Sequence, residues 1–184
     1  MTTTRIARPQ PIPPHALKEL LDRDDAGRPS APITDTEGGS PLRCCLRHSD
    51  PGERIALVSY APLRRWAAET GAEPGPYDEQ GPVFIHADPC AGPTAPGLPF
   101  TNAPRVLRRY SAEGRILGGR LVATDFDAAL REAFEDPAVA LVHVRAVEYG
   151  CFLYAVEGAV SSSSAVRMVE RALKAQDADA AAGE

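Results

Sequence analysis

Short segments with β propensity, separated by turns and loops rich in proline and glycine, run through most of this chain. Proline and glycine account for 18 and 15 of its 184 residues, and both interrupt helices and the ladders of a sheet. Residues 24–41 and 89–104 are predicted to be long loops of this kind. Successive strands joined by short turns favour antiparallel pairing. We therefore predict an α+β fold with a mostly antiparallel sheet and three helices packed on or beside it; a doubly wound parallel sheet is the alternative.

Seven segments are predicted to be strands, because most are rich in branched and aromatic residues and are bounded by turn residues. They cover residues 44–47, 54–60, 83–87, 106–110, 115–122, 139–146 and 152–156. The turn at 49–53 predicts that the first two strands form a hairpin, and a turn that contains glycine predicts a second hairpin between the fourth and fifth. Residues 61–81, with Trp66 and several prolines, are interpreted as an excursion around the domain rather than a sheet element.

Three segments are predicted to be helices from the spacing of their apolar residues. The first covers residues 13–21 and begins at two prolines, the second follows Thr124 and ends before Pro137, and the third follows the serine run 161–164. These boundaries predict three parts: an N-terminal helix and loop at 1–41, an α+β core at 42–157, and a C-terminal helix and tail at 158–184.

Charge and composition exclude several functional classes. The formal net charge is −5 and the charges are of mixed sign, so we expect no nucleic-acid binding. No secretory signal and no stretch of about 18 apolar residues occurs, so we predict a cytoplasmic protein without a membrane span. Its four cysteines are then expected to remain thiols. Neither a glycine-rich phosphate loop nor a nucleophile elbow is present, so no cofactor is expected; a homodimer is left open.

Two histidines near the ends of predicted strands are the main candidates for chemistry. Strand alternation places His86 on the same face as Phe84, and His143 on the same face as Leu141, so both imidazoles are expected to be partly buried. Two such imidazoles in one cavity could act as acid and base near neutral pH. We therefore predict His86 and His143 as catalytic residues. In the alternative, each is a core histidine hydrogen-bonded to a backbone carbonyl.

Polar residues near His143 are predicted to bind the substrate. Arg145 lies on the same strand face as His143 and could hold a carboxylate or phosphate with two hydrogen bonds. Tyr149 could donate a hydrogen bond to the same ligand. Glu148 and Arg108 complete the predicted substrate-binding set. In the alternative, Arg145 forms an ion pair with Glu148.

The cysteines allow a different interpretation, in which the same region holds a metal. A tetrahedral zinc site needs four nitrogen or sulfur ligands. The chain offers His86, Cys90, His143 and Cys151, with one of the adjacent Cys44 and Cys45. The spacing is not that of a paired Cys-x-x-Cys motif. Without a metal, the cysteines could include a reactive thiol at Cys90 or Cys151, or they could all be buried and inert.

Several segments of the chain resemble a known bacterial family. They are Leu42-Arg-Cys-Cys-Leu46, Gly52-Glu-Arg-Ile-Ala-Leu-Val-Ser-Tyr60, the run from Pro76 that ends in His86-Ala-Asp-Pro-Cys90, Val106-Leu-Arg-Arg-Tyr110, and Leu141-Val-His-Val-Arg145 with Gly150-Cys151. Their order and spacing over residues 42–157 are similar to those of the family catalogued as domain of unknown function 1203.

The resemblance implies a compact, single-domain cytoplasmic protein, and it brings no established cofactor, substrate or catalytic residue. Positions 86, 90, 143 and 151 fit the family pattern, which makes their histidines and cysteines the first candidate site. Residues 42–45 read Leu-Arg-Cys-Cys, where members of the family often have a cysteine followed by Arg-His-Cys. That departure implies a lesser metal or disulfide role for residues 42–45.

Two functional hypotheses follow. In the first, the protein is a cofactor-independent enzyme of isomerase, lyase or cyclase type, for example in specialised metabolism. His86 and His143 act as acid and base on a small-molecule ligand, and Arg145 orients an anionic group. In the second, the protein is a non-catalytic module that binds a ligand or zinc through histidine and cysteine. The metal content of the purified protein distinguishes the two.

Overall fold

Two β-sheets and three α-helices form the part of the chain, residues 8–158, that the computed structural model describes. The helices are α1 (Pro14–Asp22), α2 (Pro62–Thr70) and α3 (Phe126–Ala133), with a short 3-10 helix at Gly75–Tyr77. The strands are β1 (Ile33–Asp35), β2 (Pro41–Leu42), β3 (Arg47–His48), β4 (Glu53–Tyr60), β5 (Gly81–His86), β6 (Arg105–Tyr110), β7 (Ile116–Val122), β8 (Leu141–Ala146) and β9 (Phe152–Glu157). The predicted α+β fold with mostly antiparallel pairing is confirmed, although the strands form two sheets.

The first sheet has the strand order β1-β4-β5-β2-β3. Its centre is the antiparallel pair β4 and β5, in which Ile55 lies opposite His86. The short strand β2 joins β5 in parallel, with Leu42 opposite Phe84. The chain segment that follows Leu42 is therefore held beside the end of β5, where His86 lies.

The predicted strand at 44–47, and its hairpin with 54–60, are wrong. Residues 43–46 form a turn between β2 and β3, and β3 pairs with β2 rather than with β4. The backbone N–H of Leu46 donates to the carbonyl of Leu42 at 2.9 Å, which closes the turn. Side chains in such a turn can be buried as completely as those of a strand. The run of apolar residues therefore did not distinguish a turn from a strand.

The second sheet has the order β7-β6-β8-β9 and is antiparallel throughout. The predicted hairpin between β6 and β7 is confirmed, with a bulge after Arg109. One face of this sheet packs on α3 through a cluster that includes Leu107, Val144 and Leu130. The other face packs on α2 and on the first sheet, since Tyr110 and Leu141 contact Leu63, and Phe152 joins the core of the first sheet.

Helix α2 lies within the segment interpreted as an excursion rather than a sheet element; residues 62–70 lie outside both sheets as expected, but their helix was not predicted. Pro62 occupies the first turn of the helix, where the missing N–H of a proline costs no hydrogen bond. Leu63 and Ala67, one helical turn apart, are buried, and Gly71 ends the helix with a φ of 70°. Proline acts here as a helix start rather than as a helix breaker.

The other two helices were predicted correctly within the described residues. Helix α1 begins at Pro14 as expected. The cap of α3 is Asp125 rather than Thr124, because the Asp125 carboxylate accepts the N–H of Ala128 at 3.1 Å. The helix predicted after the serine run 161–164 lies outside the described residues. No helix within residues 8–158 combines the length and the apolar character that crossing a membrane requires.

Candidate metal centre

The turn between β2 and β3 holds Cys44 and Cys45 side by side. Both cysteines are buried, at 2% and 7% exposure. Leu46, which follows them, adopts a φ of 60°, and this left-handed conformation costs a residue with a Cβ atom about 1–2 kcal/mol. Strain of this kind persists only where the surrounding structure imposes it, and it is common at functional sites.

Arg43 ties the turn to both sheets. Its side chain is buried, and its Nε donates to the carbonyl of Phe152 in β9 at 2.8 Å. Its backbone N–H donates to the carbonyl of Phe84 in β5, and its carbonyl accepts the N–H of Ile12, both at 2.9 Å. Burial lowers the pKa of the Arg43 guanidinium to about 10. The two cysteines are thus held on a segment with little freedom to move.

His86 and Cys90 complete a group of four residues around the turn. The Sγ of Cys44 lies 3.2 Å from Nδ1 of His86 and accepts the backbone N–H of His86 at 3.2 Å. The Sγ of Cys45 lies 3.8 Å from the same Nδ1. One ligand atom from each of Cys44, Cys45, His86 and Cys90 lies within 4.8 Å of all the others. We call these four residues the cysteine–histidine cluster.

The spacing of these atoms matches the ligand shell of zinc. With Zn–S and Zn–N bonds of about 2.3 and 2.0 Å, a tetrahedral ion places sulfur and nitrogen ligands about 3.5 Å apart. The two sulfur–nitrogen distances to His86, 3.2 and 3.8 Å, lie on either side of that value. The cysteine–histidine cluster could therefore hold a tetrahedral ion with small movements of its side chains.

Glu53 and Arg47 orient the imidazole of His86 from the outside. The Oε1 of Glu53 lies 3.3 Å from Nε2 of His86. Arg47 donates to both oxygens of Glu53, and these hydrogen bonds lower the pKa of that carboxyl to about 2. The ionised carboxylate favours a proton on Nε2, which leaves the lone pair of Nδ1 directed at the cysteines. A carboxylate behind a histidine is the usual outer partner of a metal ligand.

The thiols of Cys44 and Cys45 differ in how easily they ionise. A hydrogen bond from Cys44, together with the backbone N–H and the charge of Arg47, lowers the pKa of the Cys45 thiol. The same hydrogen bond and burial raise the pKa of the Cys44 thiol. A bound cation would favour the thiolate form of both, because only thiolates are metal ligands.

A cavity of about 580 Å³ opens beside the cysteine–histidine cluster. Its wall includes Cys45, His86 and Cys90, together with the proline-rich loop from Pro89 to Pro99. Cys44 lies behind them and is buried. One side of the cluster therefore faces solvent through the cavity, and the other side faces the core of the first sheet.

His143 lies elsewhere, inside the second sheet. It is 1% exposed, and its ring contacts those of Tyr110 and Phe152 at centroid distances of 4.7 and 5.0 Å. Neither ring nitrogen has a hydrogen-bond partner among the described residues. Burial, then the charges of Arg145 and Arg108, lower the pKa of His143 to about 3. His143 does not belong to the cysteine–histidine cluster.

The other residues predicted at the site lie around the second sheet. Arg145 pairs with Glu79 rather than with Glu148, so the predicted Arg145–Glu148 ion pair is wrong. Glu148 lies 3.7 Å from Arg105, and Tyr149 is 87% exposed.

The sequence offered His86, Cys90, His143 and Cys151 as zinc ligands, with one of Cys44 and Cys45; of the first four, the cluster contains two, and it contains both Cys44 and Cys45. His86 and Cys90 belong to it. The Sγ of Cys151 instead lies 3.8 Å from the carbonyl of Tyr149, and His143 is in the core. The lesser metal role that the family resemblance implied for residues 42–45 does not agree with the geometry, because Cys44 and Cys45 supply half of the cluster.

Sequence reasoning missed Glu53 and Arg47. Glu53 was assigned only to a turn, and Arg47 only to a strand. The relevant signal is the pairing of Ile55 with His86, which puts Glu53 and His86 near each other at the end of the first sheet. That register cannot be read from the local pattern of either strand.

The comparisons with known proteins identify a family and nothing closer. The model of the family described as Protein of unknown function (DUF1203) matches residues 39–158, about two thirds of the chain. This range includes the whole cysteine–histidine cluster, Glu53 and His143. Neither the curated proteins nor the solved structures contain a match to the chain.

Proposed function

This chain belongs to the family Protein of unknown function (DUF1203), and we propose that it is a zinc-binding module. The ligands are Cys44, Cys45, His86 and Cys90. The observation that carries the proposal is the position of their four ligand atoms, all within 4.8 Å of one another. No other group of three or more potential ligands this close occurs within residues 8–158.

The type of ligand favours zinc over other common ions. Thiolates and imidazole suit zinc, whereas calcium and magnesium prefer oxygen ligands and a larger number of them. Three sulfurs and one nitrogen form one of the usual sets of a structural zinc site. A divalent cation would also offset the repulsion between neighbouring thiolates, which otherwise disfavours ionising both Cys44 and Cys45.

The surroundings of the four ligands support the same proposal. Arg43 anchors the turn that carries Cys44 and Cys45, so two of the four ligands are in place before an ion binds. Glu53 lies behind His86 and favours the tautomer in which Nδ1 is free. Preorganised ligands and an outer carboxylate both raise the affinity of a metal site.

A small-molecule site at the metal is a second candidate, and the cavity favours it. Three of the four ligands line that cavity, and Cys90 lies on its loop. Four protein ligands close a zinc site, whereas a catalytic zinc keeps one position for water or substrate. If a small molecule displaces Cys90, the ion becomes available to that molecule; if Cys90 stays bound, the role of the ion is structural.

The proposal is tested by measuring metal in the purified protein. We expect about one zinc ion per chain, as for a structural site, and a cobalt-substituted protein with tetrahedral d–d bands and strong sulfur-to-cobalt charge transfer. Cys44→Ser should lose the zinc, whereas the matched control Cys151→Ser should keep it. A wild-type protein that binds no zinc after reduction and reconstitution would overturn the proposal, as would full zinc retention in Cys44→Ser.

The same cobalt-substituted protein distinguishes the two candidates. In a structural site that depends on all four ligands, Cys90→Ser should lose the metal as Cys44→Ser does. If Cys90 is instead displaceable, its substitution leaves the zinc content unchanged and opens a position that azide occupies, with a new absorption band.

A further inference from the structure

A pair of arginines lies on the second sheet, outside the cysteine–histidine cluster. Arg108 lies opposite His143, and Arg145 lies opposite Val106, on the paired strands β6 and β8. Because residues two apart on a strand and residues directly opposite share a face, both arginines project from the face that carries His143. Their side chains are mostly buried, at 28% and 14% exposure.

A carboxylate of the chain itself already lies between the two guanidinium groups. The Oε2 of Glu79, in the loop that follows α2, accepts a hydrogen bond from Nη1 of Arg145 at 3.0 Å and another from Nη1 of Arg108. Two arginines that converge on one oxygen form a common binding arrangement for a carboxylate. The arrangement therefore shows which chemical group the pair accepts.

The polar character of this face continues beneath the arginines. His143 is fully buried there and both of its ring nitrogens lack a partner among the described residues. Buried polar atoms without a partner are rare in folded proteins and point to a ligand, a water molecule or a functional role. The buried imidazole is a second observation, independent of the arginine pair, that points to a ligand on this face.

Apolar surface lies directly beside the arginine pair. Leu121 in β7 is opposite Val106, so Arg145, Val106 and Leu121 form one row across three strands. Leu121 is 64% exposed. Gly119, opposite Arg108, has no side chain to cover the neighbouring position. A molecule whose acidic group meets the arginines could thus place an apolar body on Val106 and Leu121.

We propose that Arg108 and Arg145 form a binding site for a small organic carboxylate with an apolar body, and that Glu79 is its internal competitor. Glu79 is 43% exposed, and ion pairs with such exposure contribute little to stability. The loop has other attachments, because Arg64 pairs with Asp78 and Arg115 donates to the carbonyl of Pro74. The Glu79 side chain can therefore leave without unfolding the loop.

Hexanoate and acetate are the probes, titrated by calorimetry into the zinc-containing wild-type protein and into Glu79→Gln. Removing the competitor is expected to raise the affinity for hexanoate about tenfold, which corresponds to a site that Glu79 occupies about nine tenths of the time. Glu132→Gln opens the exposed Arg120–Glu132 pair and serves as the matched control, with no change. Acetate should bind more weakly than hexanoate, because it lacks the apolar body.

A second pair of variants tests the arginines themselves. Arg145→Gln in the Glu79→Gln background should remove hexanoate binding, and Leu121→Ser should reduce the advantage of hexanoate over acetate. Circular dichroism confirms that each variant is folded, so this test does not depend on the zinc proposal. Equal hexanoate affinity in wild type and Glu79→Gln would overturn the inference. So would binding that survives Arg145→Gln, or tighter binding of inorganic phosphate than of hexanoate.

Discussion

His86 and His143 both lie on strands, and their sequence contexts are similar, yet their surroundings in the folded protein differ in almost every respect. His86 ends β5 beside a cavity, with Cys44 at one ring nitrogen and Glu53 at the other. His143 lies between the rings of Tyr110 and Phe152 with no partner for either nitrogen among the described residues. The groups around an imidazole, rather than its place on a strand, therefore determine its chemistry.

His143 is poorly suited to acid–base catalysis. A general acid or base works best with a pKa near the working pH, and burial holds the pKa of His143 at about 3. His143 is therefore uncharged at neutral pH and a weak base. The assignment of His86 and His143 as a catalytic pair stays a prediction, and this low pKa argues against it.

The largest difference between the two histidines is expected in zinc binding. His86→Ala removes one of four proposed ligands and should reduce bound zinc to below about one tenth of an ion per chain, since each ligand contributes strongly to metal affinity. His143→Phe should keep the wild-type zinc content. Elemental analysis after gel filtration measures both. Equal zinc content in His86→Ala and His143→Phe would contradict the proposal that His86, and not His143, is a zinc ligand.

The next largest effect is expected in the core. His143→Ala leaves a cavity between Tyr110 and Phe152 and should lower the free energy of unfolding by roughly 2–4 kcal/mol, as measured by urea denaturation. His143→Phe fills the space and should cost much less. His15→Ala, at a side chain that is 64% exposed, is the control and should change stability by less than about 0.5 kcal/mol. If His143→Ala loses no more unfolding free energy than His15→Ala, the packing of His143 between Tyr110 and Phe152 is contradicted.

A smaller effect is expected at the carboxylate behind His86. Glu53→Gln keeps the size of the side chain but removes the charge that favours a proton on Nε2, so zinc affinity should fall about tenfold to 100-fold. Competition with a chromophoric chelator measures it. The control is Asp50→Asn. It neutralises a carboxylate that lies 3.4 Å from Arg47 but is not the carboxylate beside His86. An unchanged zinc affinity in Glu53→Gln would show that Glu53 pairs with Arg47 without affecting zinc binding.

The smallest effect concerns acid stability. The folded protein keeps His143 uncharged down to about pH 3, whereas in the unfolded chain it binds a proton near its ordinary pKa of 6.5. The unfolded state thus binds more protons between these values, and the stabilisation present above pH 6.5 is lost as the pH falls. Between pH 7 and pH 5, wild type should lose about 1–2 kcal/mol more than His143→Phe. Parallel urea titrations at both pH values measure the difference, and identical losses would contradict it.

Several elements could be predicted because their signals are local. The β6–β7 hairpin, with its short turn, and helix α3, with its capped apolar stripe, were found from the sequence. Helix α2 was missed, since Pro62 at a helix start resembles a proline in a loop. The turn at 43–46 was missed because burial of adjacent cysteines does not reveal the backbone hydrogen bond that closes it.

The candidate site could be predicted only in part. His86 and Cys90 are close in sequence and lie in one cluster, whereas which of Cys44, Cys45, His143 and Cys151 lies beside them depended on contacts between distant segments. The parallel pairing of Leu42 with Phe84 holds Cys44 and Cys45 beside His86.

Local propensity and side-chain chemistry were sufficient to predict an α+β chain with mostly antiparallel strands, and with histidine and cysteine side chains that could bind a metal. Tertiary contacts bring Cys44 and Cys45 to His86 and enclose His143 between aromatic rings. The physical reason is that strand pairing joins segments some forty residues apart through backbone hydrogen bonds common to all residues except proline. The order and register of strands therefore depend on how the whole core packs, and they determine which side chains share a site.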